Sequence, residues 1–509
     1  MSGPPFAIPA SQVQPRGFVI ARAPGEPQRP GSLHVQPRLA RWLSLSEPGC
    51  VRVFTGKVEL GQGILTALQL IAAEELDLPL ASVRMESART DRGPDEGVTS
   101  GSLSVQDSGS AIRHACAQIR GLALERAAGL AGKSEDLDVQ EGRVVAPGGE
   151  VLGDYWSLLT DADLDTDYDM RWQPKPPERR RLFGRALPHR LDLADKVFGR
   201  PRFIHDLRLP GMLHGRVVRA PTLDARPATW PPAGSGDWPE GVRAWADGAF
   251  VAVVAPSERQ ADAVADRLRE SLEWLPGAPL PDAAALPEFL RSAPSQSSEV
   301  AVRGDGLWPD AAHLRADYFK PYLTHASIGP SCAIAHWDGV HLTVWTHSQG
   351  IHNLRDDIVL ALAQAGQPVA RDSILVQHVE GSGCYGHNGA DDVAFDAVLM
   401  ALACPGQPVR VQWTRADELS KGPLASAHRV QLEARLDEQG RITHWRHEGW
   451  ANGYSSRPGR AKVPALLAAT QREGGQPLPL AIDPPAAGGF GAQRNAIPGY
   501  AFEHLRVMH

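Results

Sequence analysis

Cysteine is scarce and scattered in this chain of 509 residues, with only five, at positions 50, 116, 332, 384 and 404. An odd number at such spacing makes no disulfide framework, and no C-x-x-C pair exists to hold a structural zinc or an iron–sulfur cluster. A reducing compartment is the expectation. Long apolar runs are also missing: no stretch of 18 apolar residues occurs, so no membrane span is expected. The first residues, MSGPPFAIPAS, lack the basic start and apolar core of a secretory signal, which makes a cytoplasmic location the expectation. No stripe of Lys and Arg is present and the formal net charge is −7, so nucleic acid is not expected as a partner.

What the chain does have is bulk and loops. Hydrophobic residues make up 42%, enough for several cores and too much for one compact domain, so two to four domains are expected. Glycine (50) and proline (43) are frequent, which in so apolar a chain points to many tight turns.

Periodicity orders these pieces. Val51 to Phe54 alternates as a strand and runs through Gly56 to Gly63 into a helix on which Ile64, Leu68, Ile71 and Glu75 share a face. A second helix is predicted over 109–128 and a hairpin over 137–145. Further on, Arg202 to Ile204, Leu213 to Val218 and Phe250 to Val254 read as strands, and Ser257-Glu-Arg-Gln260 as a helix start. A hairpin turning at Asp338-Gly339 spans 333–345. It is followed by a helix over 351–362, a strand over 374–379, a helix over 393–404, a strand over 409–413, and a long hairpin of 430–436 with 442–445. Trp337, Trp345 and Trp413 fall at strand positions and are expected in the core.

Three small-residue loops stand beside these elements. Gly61-Gln62-Gly63 precedes a helix, where free backbone N–H groups favour an anion and the Gln62 amide both donates and accepts; an ordinary strand-to-helix turn is the other reading. Thr99 to Ser104 sets out Ser100, Ser102 and Ser104 at period two, suited to a polar heterocycle and its phosphate, or to turn and capping duties. Gly381-Ser-Gly-Cys-Tyr-Gly386 lies between a strand and a helix and permits close backbone approach to a bound group. His347, His352, His378 and His387 cluster around the third loop without metal-ligand spacing, so polar loop roles are expected of them.

Taken together, these segments resemble a known superfamily over nearly the whole chain from about residue 40. Glu59 to Gly63 with Thr66, and Thr99 to Ser104 with Gly109, resemble the second molybdopterin-binding region of the xanthine dehydrogenase and aldehyde oxidase superfamily. Phe203 to Pro221 resembles the start of its hammerhead domain. Thr346-His-Ser-Gln349 with Gly381 to Gly386 resembles its first molybdopterin region. The order, with the Gly-Gln-Gly region first, is similar to isoquinoline oxidoreductase and nicotinate dehydrogenase large subunits.

The resemblance implies an α+β, multi-domain fold of mixed sheets and helices. Its expected divisions are an extended arm (1–40), part of the second molybdopterin-binding domain (41–185), a hammerhead domain (190–280), a linker (281–310) and the first molybdopterin-binding domain (311–509), with a C-terminal portion to be supplied from elsewhere. It implies a molybdopterin cytosine dinucleotide with molybdenum, held by the pterin and not by side chains. Gly61, Gln62, Gly63, Ser100, Ser102, Ser104, Gln349, Gly383, Cys384, Tyr385 and Gly386 are the implied cofactor-binding residues, Gln349 being the one near molybdenum. Tyr385 and Cys384 stand where the superfamily has phenylalanine and glycine, which implies a more polar substrate wall. Implied partners are a small subunit carrying two-iron, two-sulfur clusters, a cytochrome c as candidate electron acceptor, and a small-molecule substrate: an N-heterocycle such as nicotinate or isoquinoline, or an aldehyde. The superfamily's base glutamate, in a Gly-x-Gly-Glu motif, has no counterpart in this sequence, so a non-catalytic relic or assembly scaffold is the alternative expectation. Glu380 and Asp391 are expected to be solvated or structural.

Overall fold

The segment Phe250–Ala255, six consecutive apolar residues, is a strand buried on both faces. Phe250, Ala252 and Val254 face one core, while Val251, Val253 and Ala255 face another against Ala261, Val264 and Leu268 of the helix Glu258–Ser271. An unbroken apolar run is what a strand sandwiched between two layers requires. The helix begins as its sequence dictates, with the Ser257 hydroxyl accepting from the Gln260 N–H. The structure, a computed structural model, describes residues 29–132, 136–184, 189–232, 238–304, 312–454, 456–459, 462–483 and 491–509. Most of the expected arm (1–28) and the end of the expected linker (305–310) lie outside the described residues.

Phe250–Ala255 belongs to a seven-stranded sheet whose order is Ile374–His378, Leu342–Thr346, Cys332–Trp337, Val409–Gln412, Leu213–Val218, Phe250–Ala255, Arg243–Asp247. Two of its pairings are parallel, 342–346 with 374–378 and 409–411 with 213–215. The second joins residues from the predicted hammerhead stretch to the later half of the chain. Helices Ile351–Gln364 and Ala390–Ala403 cover the face that holds the largest core. Across that core the Arg219 guanidinium pairs with the Asp396 carboxylate, both almost fully buried, and Trp413 Nε1 donates to Asp396 Oδ2 at 2.8 Å. Trp413 is buried as expected, whereas Trp337 and Trp345 are partly exposed and pack at the margins of their cores.

A separate core forms around the helices Ile64–Leu76 and Ser110–Ala131, backed by the sheet of Leu43–Glu47, Cys50–Phe54 and Val83–Glu86. A five-stranded sheet contains the long hairpin His428–Leu436 and Ile442–Ala451 together with Leu314–Lys320, Glu299–Arg303 and His504–Met508. Among the described residues no helix is long and apolar enough to cross a membrane. The architecture is therefore mixed α and β in several sheets.

Two local expectations are corrected. Arg202 to Ile204 is not a strand: Ile204–Asp206 is a single 3₁₀ turn, because the Asp206 carboxylate accepts from the N–H groups of Arg202 and Phe203 at 3.2 and 3.0 Å. The segment 281–310 is not a bare linker either. It carries the helix Leu286–Ser292, with Pro287 in its first turn, and the strand Glu299–Arg303.

Candidate functional site

The first loop is built around two acids. Glu96, buried, accepts from Gly56 N (2.8 Å), Thr55 Oγ1 (3.0 Å), Ser108 Oγ (3.0 Å) and Ser32 Oγ (2.6 Å), which ties the loop to the start of the second long helix. Gly56 has no room for a side chain, since a Cβ there would lie 2.4 Å from the Pro94 carbonyl oxygen. Glu59, also buried, accepts from the N–H groups of Gly61 (2.9 Å), Gly63 (2.8 Å) and Leu65 (3.3 Å). Gly61 and Gly63 take positive φ, 105° and 81°, which folds the loop back over that carboxylate. The anion that the helix N-terminus favours is thus supplied from within the chain. Gln62 is exposed and closes the same loop, its Oε1 accepting from Leu60 N (2.6 Å) and its Nε2 donating to Val58 O (3.0 Å).

The second loop is joined to the first and to Gln349 through Thr99. Thr99 Oγ1 accepts from Val58 N at 3.0 Å, Thr99 N donates to Gln349 O at 2.8 Å, and Gln349 Nε2 donates to Thr99 O at 3.0 Å. Gln349 Oε1 in turn accepts from Arg457 Nη1 at 2.7 Å. A carbonyl can only accept and a guanidinium can only donate, so these two neighbours fix which way the Gln349 amide points. The other N–H of Nε2 has no acceptor among the described residues. Ser102 is exposed with φ 59°, while Ser100 and Ser104 are half-buried. None of these three hydroxyls has a hydrogen-bond partner among the described residues.

The third loop passes close to two histidine rings, His347 buried and His325 half-buried. A Cβ on Gly381 would fall 2.6 Å from the His347 ring, and one on Gly386 2.2 Å from the His325 ring; Gly383 and Gly386 have φ of 108° and 127°. Cys384 Sγ donates to Gly386 O at 2.8 Å, and burial pushes its thiol pKa up, so it stays protonated. Tyr385 is half exposed. Just beyond, His387 Nε2 lies 3.2 Å from Asp391 Oδ2, and Asp391 Oδ1 accepts from Ser348 Oγ. Asp391 therefore ties the third loop to the residue before Gln349. Despite burial, which raises it, its pKa is lowered overall by His387, Ser348 and Arg457.

The histidines remain neutral. Burial lowers His347 to about 4, His378 to about 3 and His387 to about 4. No group of three metal-ligating side chains occurs among the described residues. Glu380 is nearly buried and paired with Arg202 and Lys196, and Asp391 is buried, so both are structural and neither is solvated.

Hydrogen bonds thus run from Gln62 through Val58 and Thr99 to Gln349, and the Ser348–Asp391–His387 link carries them on to the third loop. Residues 25–178 and 294–472 match two family models, each described as a molybdopterin cofactor-binding domain. The chain belongs to the molybdopterin cofactor-binding domain family. Known proteins resemble it over different lengths. A nicotinate dehydrogenase subunit of Pseudomonas putida is 34% identical over 489 residues, which is 92% of this chain and 38% of that protein. A protein named membrane-bound aldehyde dehydrogenase (pyrroloquinoline-quinone), from Gluconacetobacter polyoxogenes, is 26% identical over 83% of this chain and 56% of its own length. The solved aldehyde oxidoreductase of Desulfovibrio gigas superposes with a TM-score of 0.41 at 16% identity, covering 58% of this chain and 37% of that one. The chain spans less than two-thirds of the length of each.

The residues present fit a pterin group unevenly. The free N–H on Gln349, the unpartnered serines and the close-approach glycines of the third loop suit a polar ligand; the Gly61–Gly63 turn, already filled by Glu59, offers it less. Sequence reasoning did not single out Arg457, Glu59 or the linking role of Thr99. Glu59 carried a faint signal, being an acid two residues before the first loop glycine. Arg457 carried none, standing alone in Ser-Ser-Arg-Pro-Gly.

Proposed function

We propose that this chain forms part of a molybdopterin-dependent oxidoreductase that hydroxylates an N-heterocycle of the nicotinate or isoquinoline type, or oxidises an aldehyde, and passes electrons to a separate iron–sulfur subunit. The observation that carries this reading is the Val58–Thr99–Gln349–Arg457 hydrogen-bond chain, which joins segments from both matched domains at one amide. The similarity to the Pseudomonas putida nicotinate dehydrogenase subunit supports the heterocycle class. In this reading residues 190–280 form the hammerhead portion, the pterin is the cytosine dinucleotide form, and the protein works in the cytoplasm.

When bound, the molybdenum group supplies the redox chemistry. The chain's own residues orient and exclude. Gln349 Nε2, held by Thr99 and Arg457, presents one fixed N–H donor. Ser100, Ser102 and Ser104 supply hydroxyls to polar edges of the pterin. Gly383 to Gly386 let backbone pass close by, with Tyr385 on the open side. The neutral His387, braced by Asp391, keeps the third loop in register with Ser348. Molybdate-supplied expression with the iron–sulfur partner, followed by screening of pyridine- and quinoline-type heterocycles against aldehydes, tests the reading. Turnover of a heterocycle or an aldehyde with reduction of the partner's clusters is expected. A cofactor-loaded complex that turns over neither class would refute it.

A further inference from the structure

Several buried arginines in this protein are paired with acids, although Arg355 donates to the Thr90 carbonyl oxygen instead. Arg219 meets Asp396, Arg216 meets Asp262 and Glu258, and Arg410 meets Glu258. Arg457 is different. Its single hydrogen bond goes to the neutral amide oxygen of Gln349, and no carboxylate lies within ion-pair distance among the described residues. Burial depresses its pKa, and the nearest acid that acts on it, Asp391, has its oxygens engaged by Ser348 and His387. A guanidinium has five N–H donors, of which only one is used among the described residues, so the others are open to an anion. Cys384 is close enough to interact with it electrostatically, so Arg457 lies near both Gln349 and the third loop.

Building on the molybdenum-site reading above, we infer that Arg457 anchors an oxyanion beside Gln349. The planar fork of a guanidinium matches two oxygens of a carboxylate or phosphate. The anion comes either from a carboxylate on an aromatic substrate or from a phosphate of the cofactor, and the two sources separate experimentally.

The test compares wild type, Arg457→Gln and Arg457→Lys in the assembled protein, using pyridine-3-carboxylate and the uncharged pyridine-3-carboxamide as binding probes, with molybdenum and pterin content read in parallel. If the anion is on the substrate, wild type prefers the carboxylate, Arg457→Gln weakens it about 10- to 100-fold more than it weakens the carboxamide, and pterin content holds. If it is on the cofactor, Arg457→Gln loses pterin and Arg457→Lys recovers part of it. Equal binding of both probes by wild type, with pterin content unchanged in a folded Arg457→Gln, overturns the inference. Should Arg457→Gln fail to fold, probe preference in wild type and pterin content in Arg457→Lys decide: no preference and unchanged content overturn it. Wild type without molybdenum would instead refute the functional reading, and the probe preference, read by thermal shift on metal-free protein, stays separately measurable.

Discussion

Asp392 offers a quantitative test of how the later half of the chain is held together. It is fully buried on the helix Ala390–Ala403, and its Oδ1 accepts from the Leu467 N–H at 2.7 Å, pinning the segment that follows Arg457. Burial, with Asp391 and Asp396 adding repulsion, raises its pKa from 3.8 to about 7. The unfolded chain therefore gives up this proton near pH 4 and the folded chain near pH 7, so between those values the native state binds more protons. Stability from this group is complete below pH 4, falls as pH rises, and levels off above 7. Asp392→Asn keeps an acceptor for Leu467 and removes the titration. Relative to wild type, the variant should gain roughly 2–3 kcal/mol between pH 5 and pH 8, since every tenfold change in proton affinity is worth about 1.4 kcal/mol. A chain of this size does not unfold in one step, so the local readout is hydrogen exchange at the Leu467 amide, corrected for intrinsic rate, alongside the urea midpoint. A difference between variant and wild type that is flat or shrinking with pH would refute the argument.

Other substitutions probe separate parts of the same frame. Asp396→Ala leaves Arg219 buried without its partner and should cost about 3–5 kcal/mol, read as a lowered urea midpoint. Gly389→Ala has an acceptable backbone (φ −74°) but places a Cβ 2.3 Å from the Trp413 ring; it should cost ~1–3 kcal/mol and shift tryptophan fluorescence. Thr99→Val conserves shape and leaves the buried Val58 N–H unpaired, for a loss of about 1–3 kcal/mol by thermal or urea denaturation.

Where physics is local, the sequence was readable. The helix Ile64–Leu76, the Ser257 start and the hairpin at Asp338-Gly339 follow from periodicity, a hydroxyl cap and a turn pair, all within a few residues. The stretch Arg202 to Ile204 looked like a strand because its composition is right. The deciding feature was Asp206 capping backward, together with a bond from Ile204 N to Glu380 O across the fold. The parallel pairing of 409–411 with 213–215 joins segments nearly two hundred residues apart, and no local pattern encodes it. The site shows the same division. Glycine and serine loops announced themselves by composition, and Gln349 by its motif. The contacts that give Gln349 a direction, Thr99 and Arg457, lie 250 and 108 residues away in sequence. Sequence spacing also could not reveal that Glu59 fills the helix N-terminus that an outside anion would otherwise take.

The central claim is that loops from both matched domains meet at one molybdopterin-binding place. Molybdenum and pterin content per chain, measured on wild type and Thr99→Val purified with their partner from molybdate-supplied cells, tests it most directly. Stoichiometric cofactor in wild type, and less in a folded Thr99→Val, is the expected result. Wild type devoid of both, or a folded Thr99→Val that retains them in full, would contradict it.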